Sequence, residues 1–325
     1  LKEFKSAEED FSKAIELDPR NSEYFYTRGL VRSKVFDHEN AVNDFSKAIE
    51  LDPGNPELYF ARALSHDSLG NFRNSIKDYS TALELDPKNS KNYFYKIGIA
   101  KNHDGDNRGA ISELTKSIGI FDAYSIYKRG LIKKKQKNLK SANRDFIRAL
   151  FITEIFKLVS PNNDSLFSLR GDIKFELKDF NDSIKEYKRA INIEPQQIAH
   201  YFSLSDKYYQ LGNIKGAINE INKIILINPN FAGGYFVRAN LKYQLMNYES
   251  ALEDYNQAIK INPNSRKTYW LRAYIKNELE DFEGSCQDYK KAIEMGFNLK
   301  KDQKITENFP ILQINTKDIS WCNNQ

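Results

Sequence analysis

The residues of this chain that could do covalent or metal chemistry are few: four histidines, His38, His66, His103 and His200, and two cysteines, Cys286 and Cys322. Their spacing argues against such roles. No His-Glu-x-x-His pair exists to put two zinc ligands and a base on one helix face, and no Ser/His/Asp or Cys/His arrangement stands out for nucleophilic attack. The cysteines form neither a Cys-x-x-Cys pair nor a cluster with histidine, and two of them cannot build a disulfide framework. "GDNRG" at Gly105–Gly109 reads as a turn between helices, not a phosphate-cradling loop. The acidic clusters "AEED" and "LEDY" return at fixed intervals, which suits solvated helix faces better than paired catalytic carboxylates. The expectation is a chain with no catalytic residue, no metal and no cofactor.

What returns at fixed intervals is more informative. "FSKAIELDP" occurs at Phe11–Pro19 and again, unchanged, at Phe45–Pro53, and "YSTALELDP" follows at Tyr79–Pro87. Pro19, Pro53 and Pro87 are evenly spaced, and Pro195, Pro229 and Pro263 keep the same interval. Small residues follow the beat: Gly29, Ala63, Gly98, Gly130, Gly171, Ser205, Ala239 and Ala273 form one set, and Ala14, Ala48, Ala82, Ser117, Ala149, Ala190, Ala258 and Ala292 another. Apolar residues between them, such as Ala41, Phe45, Ala48 and Ile49, recur at helical spacing. Each period therefore predicts two helices, with small residues where backbones approach and aromatics filling the space beside them. Proline closes the second helix because it cannot continue one.

These residues resemble the tetratricopeptide repeat (TPR) family over about residues 1–297, as a half repeat followed by eight full ones. The resemblance implies an all-α fold: an α-solenoid of antiparallel helix pairs stacked into a right-handed superhelix, each pair stable beside its neighbours. Three departures divide it. Repeat three gains a residue and loses its closing proline. Repeat four carries Glu154 in place of that proline and runs on for seven extra residues to Pro161. The absence of a breaker predicts a second helix prolonged to about Val159, the alternative being a loop insertion. Ile224 replaces the usual alanine of repeat six. The expected organisation is an N-terminal TPR half over 1–160, a C-terminal half over 161–297, and a tail over 298–325 that either caps the last apolar face or docks in a groove.

TPR first helices line a concave surface, and the resemblance places the residue three before the small one in it. That position reads Tyr26, Phe60, Tyr95, Tyr127, Ser168, Phe202, Phe236 and Trp270, aromatic in seven of eight repeats. Phe175, Tyr209 and Tyr243 share the face one turn on. Rigid rings on a concave face suit peptide binding; the alternative is that they pack against adjacent repeats. From Lys128 to Arg148 nine bases face one acid, and Lys128, Lys134, Lys135, Lys137 and Lys140 form a basic patch on or beside the groove. The carboxylate clamp of chaperone-binding TPR proteins is missing: its asparagine position reads Leu30, Leu64, Ile99, Leu131, Asp172, Asp206, Asn240 and Tyr274, and the lysine partner of Asn240 would be Phe236. Chaperone tails are therefore disfavoured partners.

The favoured reading is a non-catalytic scaffold binding a peptide segment of a protein partner. A nucleic-acid-binding array using repeat four and the aromatics, and a substrate-presenting arm of a larger enzyme, are the alternatives. No run approaches the roughly 20 apolar residues of a membrane span. Scarce cysteine favours a reducing compartment such as the cytoplasm, with any targeting segment lying before Leu1.

Overall fold

Where a repeat keeps its proline, its second helix ends the same way each time. α1 (Lys2–Leu17), α3 (His38–Leu51), α5 (Phe72–Leu85), α11 (Phe180–Ile193), α13 (Ile214–Ile227) and α15 (Tyr248–Ile261) each stop two residues before that proline. Some first helices start on side-chain caps. Asn21 and Asn55 accept from the N–H groups of Glu23 and Glu57 at 3.1 and 3.0 Å, opening α2 (Ser22–Lys34) and α4 (Pro56–Ser68). The remaining helices are α6 (Ser90–Asp104), α7 (Asn107–Ser117), α8 (Ala123–Lys135), α9 (Leu139–Val159), α10 (Asp164–Glu176), α12 (Ile198–Gln210), α14 (Ala232–Gln244), α16 (Arg266–Glu278) and α17 (Phe282–Glu294).

The computed structural model describes residues 2–119 and 122–297. Helix makes up 82% of the chain and the described residues contain no strand, which settles an all-α class. The tail expectation for 298–325 falls outside the described residues. Contacts group the chain into two units: residues 1–161 with Glu176–Lys178, and residues 162–175 with those from Asp179 onward. In each unit, consecutive helices pack pairwise as an α-solenoid.

Size matching at the pair interface explains the small residues. A methyl group on Gly29 would lie 2.7 Å from Phe45, on Gly130 2.6 Å from Phe146, and on Gly171 2.9 Å from Tyr187. Those three rings are at most 1% exposed, so they have nowhere to move. The same logic resolves Ile224, which is fully buried. The following helix α14 answers its bulk with Gly234, whose missing methyl would meet Ile225 at 3.0 Å and Ile224 at 3.7 Å. The irregularities of repeats three and four are visible too. A 3₁₀ turn, Pro87–Asn89, takes up the extra residue, α7 is only 11 residues long, and α9 runs unbroken for 21.

The turn inside each repeat demands one left-handed residue. Gly70, Gly105 and Gly212 supply it in three repeats, while Phe36, Lys137, Lys178, Met246 and Glu280 are forced to φ values of 57° to 66°. Phe36 is 84% exposed, so its ring returns little in packing. Phe36→Gly should therefore stabilise the protein by about 1 kcal/mol, visible as a rise of a few degrees in Tm. A fall would show that the Phe36 ring, which meets His38 edge-on at 6.2 Å, matters more than its backbone strain.

Candidate functional site

The rings at the in-phase position of the first helices differ in access. Each ring touches another: Tyr26 lies 6.0 Å from Phe45, Phe60 5.5 Å from Tyr79, Tyr95 5.7 Å from Tyr124, Phe202 5.9 Å from Phe231 and Phe236 6.2 Å from Tyr255. These five stay half-buried, each with an edge left to solvent. Tyr127 and Trp270 do not. Tyr127 sits against Phe146 and is 5% exposed, while Trp270 is 2% exposed, stacked on Phe297 at 4.4 Å and edge-on to Tyr289 at 4.6 Å. Both are core residues here. Tyr243 is wedged between Tyr248 and Tyr274, each 5.6 Å away.

Each unit carries a cleft on its first-helix side. In the first unit, Tyr95, Tyr124, Lys91, Asn92 and Ser125 border about 590 Å³ between α6 and α8. Burial, then the neighbouring Tyr124, pushes the Tyr95 hydroxyl well above its usual range, so it stays protonated as a donor. In the second unit, a 560 Å³ cleft lies between α12 and α14. Phe202, Tyr209, Val237 and Leu241 make its apolar walls, and Ser205, Asp206 and Gln210 its polar border. Gln244 Nε2 donates to the Tyr209 hydroxyl at 2.8 Å and fixes that ring. Ser205 spends its hydroxyl on the Ala217 carbonyl at 3.0 Å. The Asp206 side chain is 53% exposed and accepts from Gln210 at 2.7 Å and Lys207 at 3.2 Å.

The basic patch is partly discharged. Lys133, inside the run, donates to Asp145 at 2.7 Å, and Lys134 to Glu176, a residue that groups with the first unit, at 2.6 Å. Lys128 lies over the rings of Tyr124 and Tyr127. Lys135, Lys137 and Lys140 are exposed at the end of α8 and the start of α9.

Tetratricopeptide repeat models match residues 22–55, 56–89, 165–197, 232–265 and 267–295, together just over half of the chain. The chain belongs to the tetratricopeptide repeat family. No curated protein matches it. Among solved structures, a tetratricopeptide repeat protein from Parabacteroides merdae is similar at TM-score 0.51 and 17% identity, over 78% of this chain and 98% of that one. An IFIT1 monomeric mutant with Gppp-AAAA is similar at TM-score 0.51 and 15% identity, over 85% and 72%. The APC/C hetero-tetramer Cut9–Hcn1 gives TM-score 0.46 and 16% identity over 84% of this chain, which spans 52% of that one. The two likenesses at TM-score 0.51 bear on the fold alone. TPR arrays are typically non-catalytic scaffolds for protein interaction.

Within these TPR units the acidic clusters are solvated only in part: Glu9, Asp10 and Glu253 are exposed as the sequence suggests, but one aspartate in each of five repeats is not. Asp44, Asp78, Asp145, Asp254 and Asp288 are 3–5% exposed, and each takes a bidentate pair of bonds from an arginine 16 residues earlier: Arg28, Arg62, Arg129, Arg238 and Arg272. The third arm of each guanidinium reaches back to the preceding repeat, to Ser12, Ser46, Thr115, Asn222 and Asn256. One side chain thus joins three helices. Where that acceptor position holds a cation, Lys188, repeat six has Leu204 instead of arginine.

A second correction concerns His200, which is 5% exposed. Its Nδ1 lies 2.7 Å from the Ser168 hydroxyl and its Nε2 2.8 Å from Asp164, so a Ser/His/Asp arrangement does exist. Its surroundings do not support hydrolysis. Ser168 lies in mid-helix, where backbone N–H groups are spent on the i−4 carbonyls and cannot serve as an oxyanion hole. The trio instead fastens α10 to α12. Fluorophosphonate should leave Ser168 unlabelled, while His200→Ala should cost about 1–3 kcal/mol by stranding the hydroxyl and carboxylate. Stoichiometric labelling of Ser168 would overturn the structural assignment.

Proposed function

We propose that the protein is a scaffold that holds an extended segment of a partner protein on its first-helix faces, with the α12–α14 cleft as the principal pocket. The carrying observation is that cleft's composition: Phe202, Tyr209, Val237 and Leu241 give an apolar seat for one side chain, and Asp206 stands at its border. An apolar residue flanked by lysine or arginine fits that chemistry. Half-exposed rigid rings supply contact area at small entropic loss. Chaperone-type carboxylate tails do not fit, because Asn240, alone in matching the clamp, is buried and accepts from Tyr255 at 2.6 Å. A nucleic-acid reading is weaker, since the exposed cations Lys135, Lys137 and Lys140 lie at the turn between α8 and α9, away from the row of first-helix rings. Selection of displayed random peptides on the intact chain tests the proposal. Enriched sequences should pair an apolar residue with a neighbouring base and lose binding to Phe202→Ala. Enrichment without either feature would contradict it.

A further inference from the structure

The second helix of repeat four, α9, carries an apolar stripe where other repeats carry polar residues, and it begins at the position that in α3 and α15 bonds the arginine of the following repeat. Ile147 and Phe151 are 59% and 67% exposed. The same positions hold Ser46 and Glu50 in α3, and Asn256 and Lys260 in α15. The prolonged end of the helix continues the stripe with Ile155, Leu158 and Val159, at 38%, 84% and 76% exposure. Ile147, Phe151, Ile155 and Val159 are spaced by four throughout, so they form one complete i±4 ridge, the element that packs helix on helix at about −50°. A patch of this kind measures on the order of a few hundred Å², more than scattered surface residues expose.

The sequence around Phe151 names the occupant. Three residues before it stands Arg148 and three after it Glu154; four before stands Ile147 and four after Ile155; seven before stands Arg144 and seven after Leu158. A two-fold axis through Phe151 brings each residue against its mirror position in an antiparallel copy. Phe151 then meets Phe151, isoleucine meets isoleucine, Arg148 meets the second copy's Glu154, and the alkyl stem of Arg144 covers Leu158. In the single chain Glu154 already takes Lys157 at 3.3 Å, an exposed pair that can be shared.

We infer that α9 is a self-association surface, on which a second copy of this chain docks antiparallel about Phe151. Two patches of this size bury about 1,000 Å², the lower edge of specific interfaces, which suits a transient dimer rather than a permanent one. A lipid surface fits less well, because Glu154 projects beside the middle of the stripe.

Sedimentation velocity of the full chain across a concentration series decides the matter. Wild type should pass from monomer to dimer, and Phe151→Asp should remain monomeric. Arg148→Glu and Glu154→Arg should each weaken association about tenfold, since symmetry repeats every clash. The double variant Arg148→Glu/Glu154→Arg should recover most of the loss, because the pairs re-form inverted. All three positions are solvent-facing, so thermal melts should stay within a few degrees of wild type. A chain monomeric at every concentration, a dimer indifferent to Phe151→Asp, or charge reversals that add instead of cancelling would each overturn the inference. Binding to anionic vesicles by a chain that stays monomeric would overturn it in favour of a lipid surface.

Discussion

Asp145→Ala should destabilise the first unit by about 3 kcal/mol, the loss expected when a buried ion pair is broken on one side only. Asp145 is 5% exposed and accepts from Arg129 at 2.9 and 2.7 Å and from Lys133 at 2.7 Å. Its removal strands two cations whose side chains are only 12% and 17% exposed. Those exposures hold the figure toward the low end of the usual range of about 3–5 kcal/mol. It also frees the guanidinium that ties α8 to Thr115 of α7, so amide exchange should accelerate in α7, α8 and α9 before more distant repeats. Lys47→Ala, which deletes an exposed i,i+3 pair with Glu50, is the control and should change stability by a few tenths of a kcal/mol. The pH dependence has a definite sign. Burial pushes the Asp145 carboxyl up, but hydrogen bonds from Arg129 and then Lys133 outweigh it and hold the group below its ordinary 3.8. A depressed native value means the stabilisation is present above about pH 4 and is lost as pH falls further. Wild type and Asp145→Ala should therefore converge in stability in acid. A neutral-pH loss no larger than that of the Lys47→Ala control would show that the ion-pair ladder is structurally idle.

The architecture is legible in the sequence because its physics is one-dimensional: a helix-breaking proline at a constant interval, small residues in phase, and rings between them. The Arg–acid ladder is equally periodic and still escapes a reading of the sequence alone. Five arginines precede five aspartates at one fixed offset, yet a charge on an amphipathic helix reads as solvated unless its partner on the next helix is considered. The Ser168–His200–Asp164 trio is hidden for a related reason. Its members are separated by 32 and 36 residues, close to one period, so stacking brings together what motif spacing keeps apart. The aromatic ladder is legible as a row but not in its depth. Tyr127 and Trp270 obey the same spacing as Phe202, and periodicity cannot give their depth: Tyr26 and Tyr127 meet equivalent rings, yet only Tyr127 is buried, and Trp270 has Phe297 stacked on it.

That difference in depth makes the groove testable. Tyr209→Ala should reduce affinity for a selected peptide about thirtyfold, near 2 kcal/mol, as expected for a rigid ring at the centre of an interface. Phe202→Ala, on the facing wall of the same cleft, should do the same, and the two losses should not add, because both rings hold one ligand side chain. Trp270→Ala should behave differently. It empties a packed site beside Tyr289 and Phe297, so about 3–5 kcal/mol of stability should go first. Peptide affinity should change only as far as the fold is lost. Lys134→Glu with Lys135→Glu should leave dissociation nearly unchanged and act on association rate and its salt dependence. If the lysine pair dominates at physiological salt while Tyr209→Ala is silent, the ligand is a polyanion and the apolar cleft is not its seat. If Trp270→Ala abolishes binding at unchanged Tm, then Phe297 must leave the indole when ligand arrives, and the buried ring would return to the binding surface that its spacing first suggested.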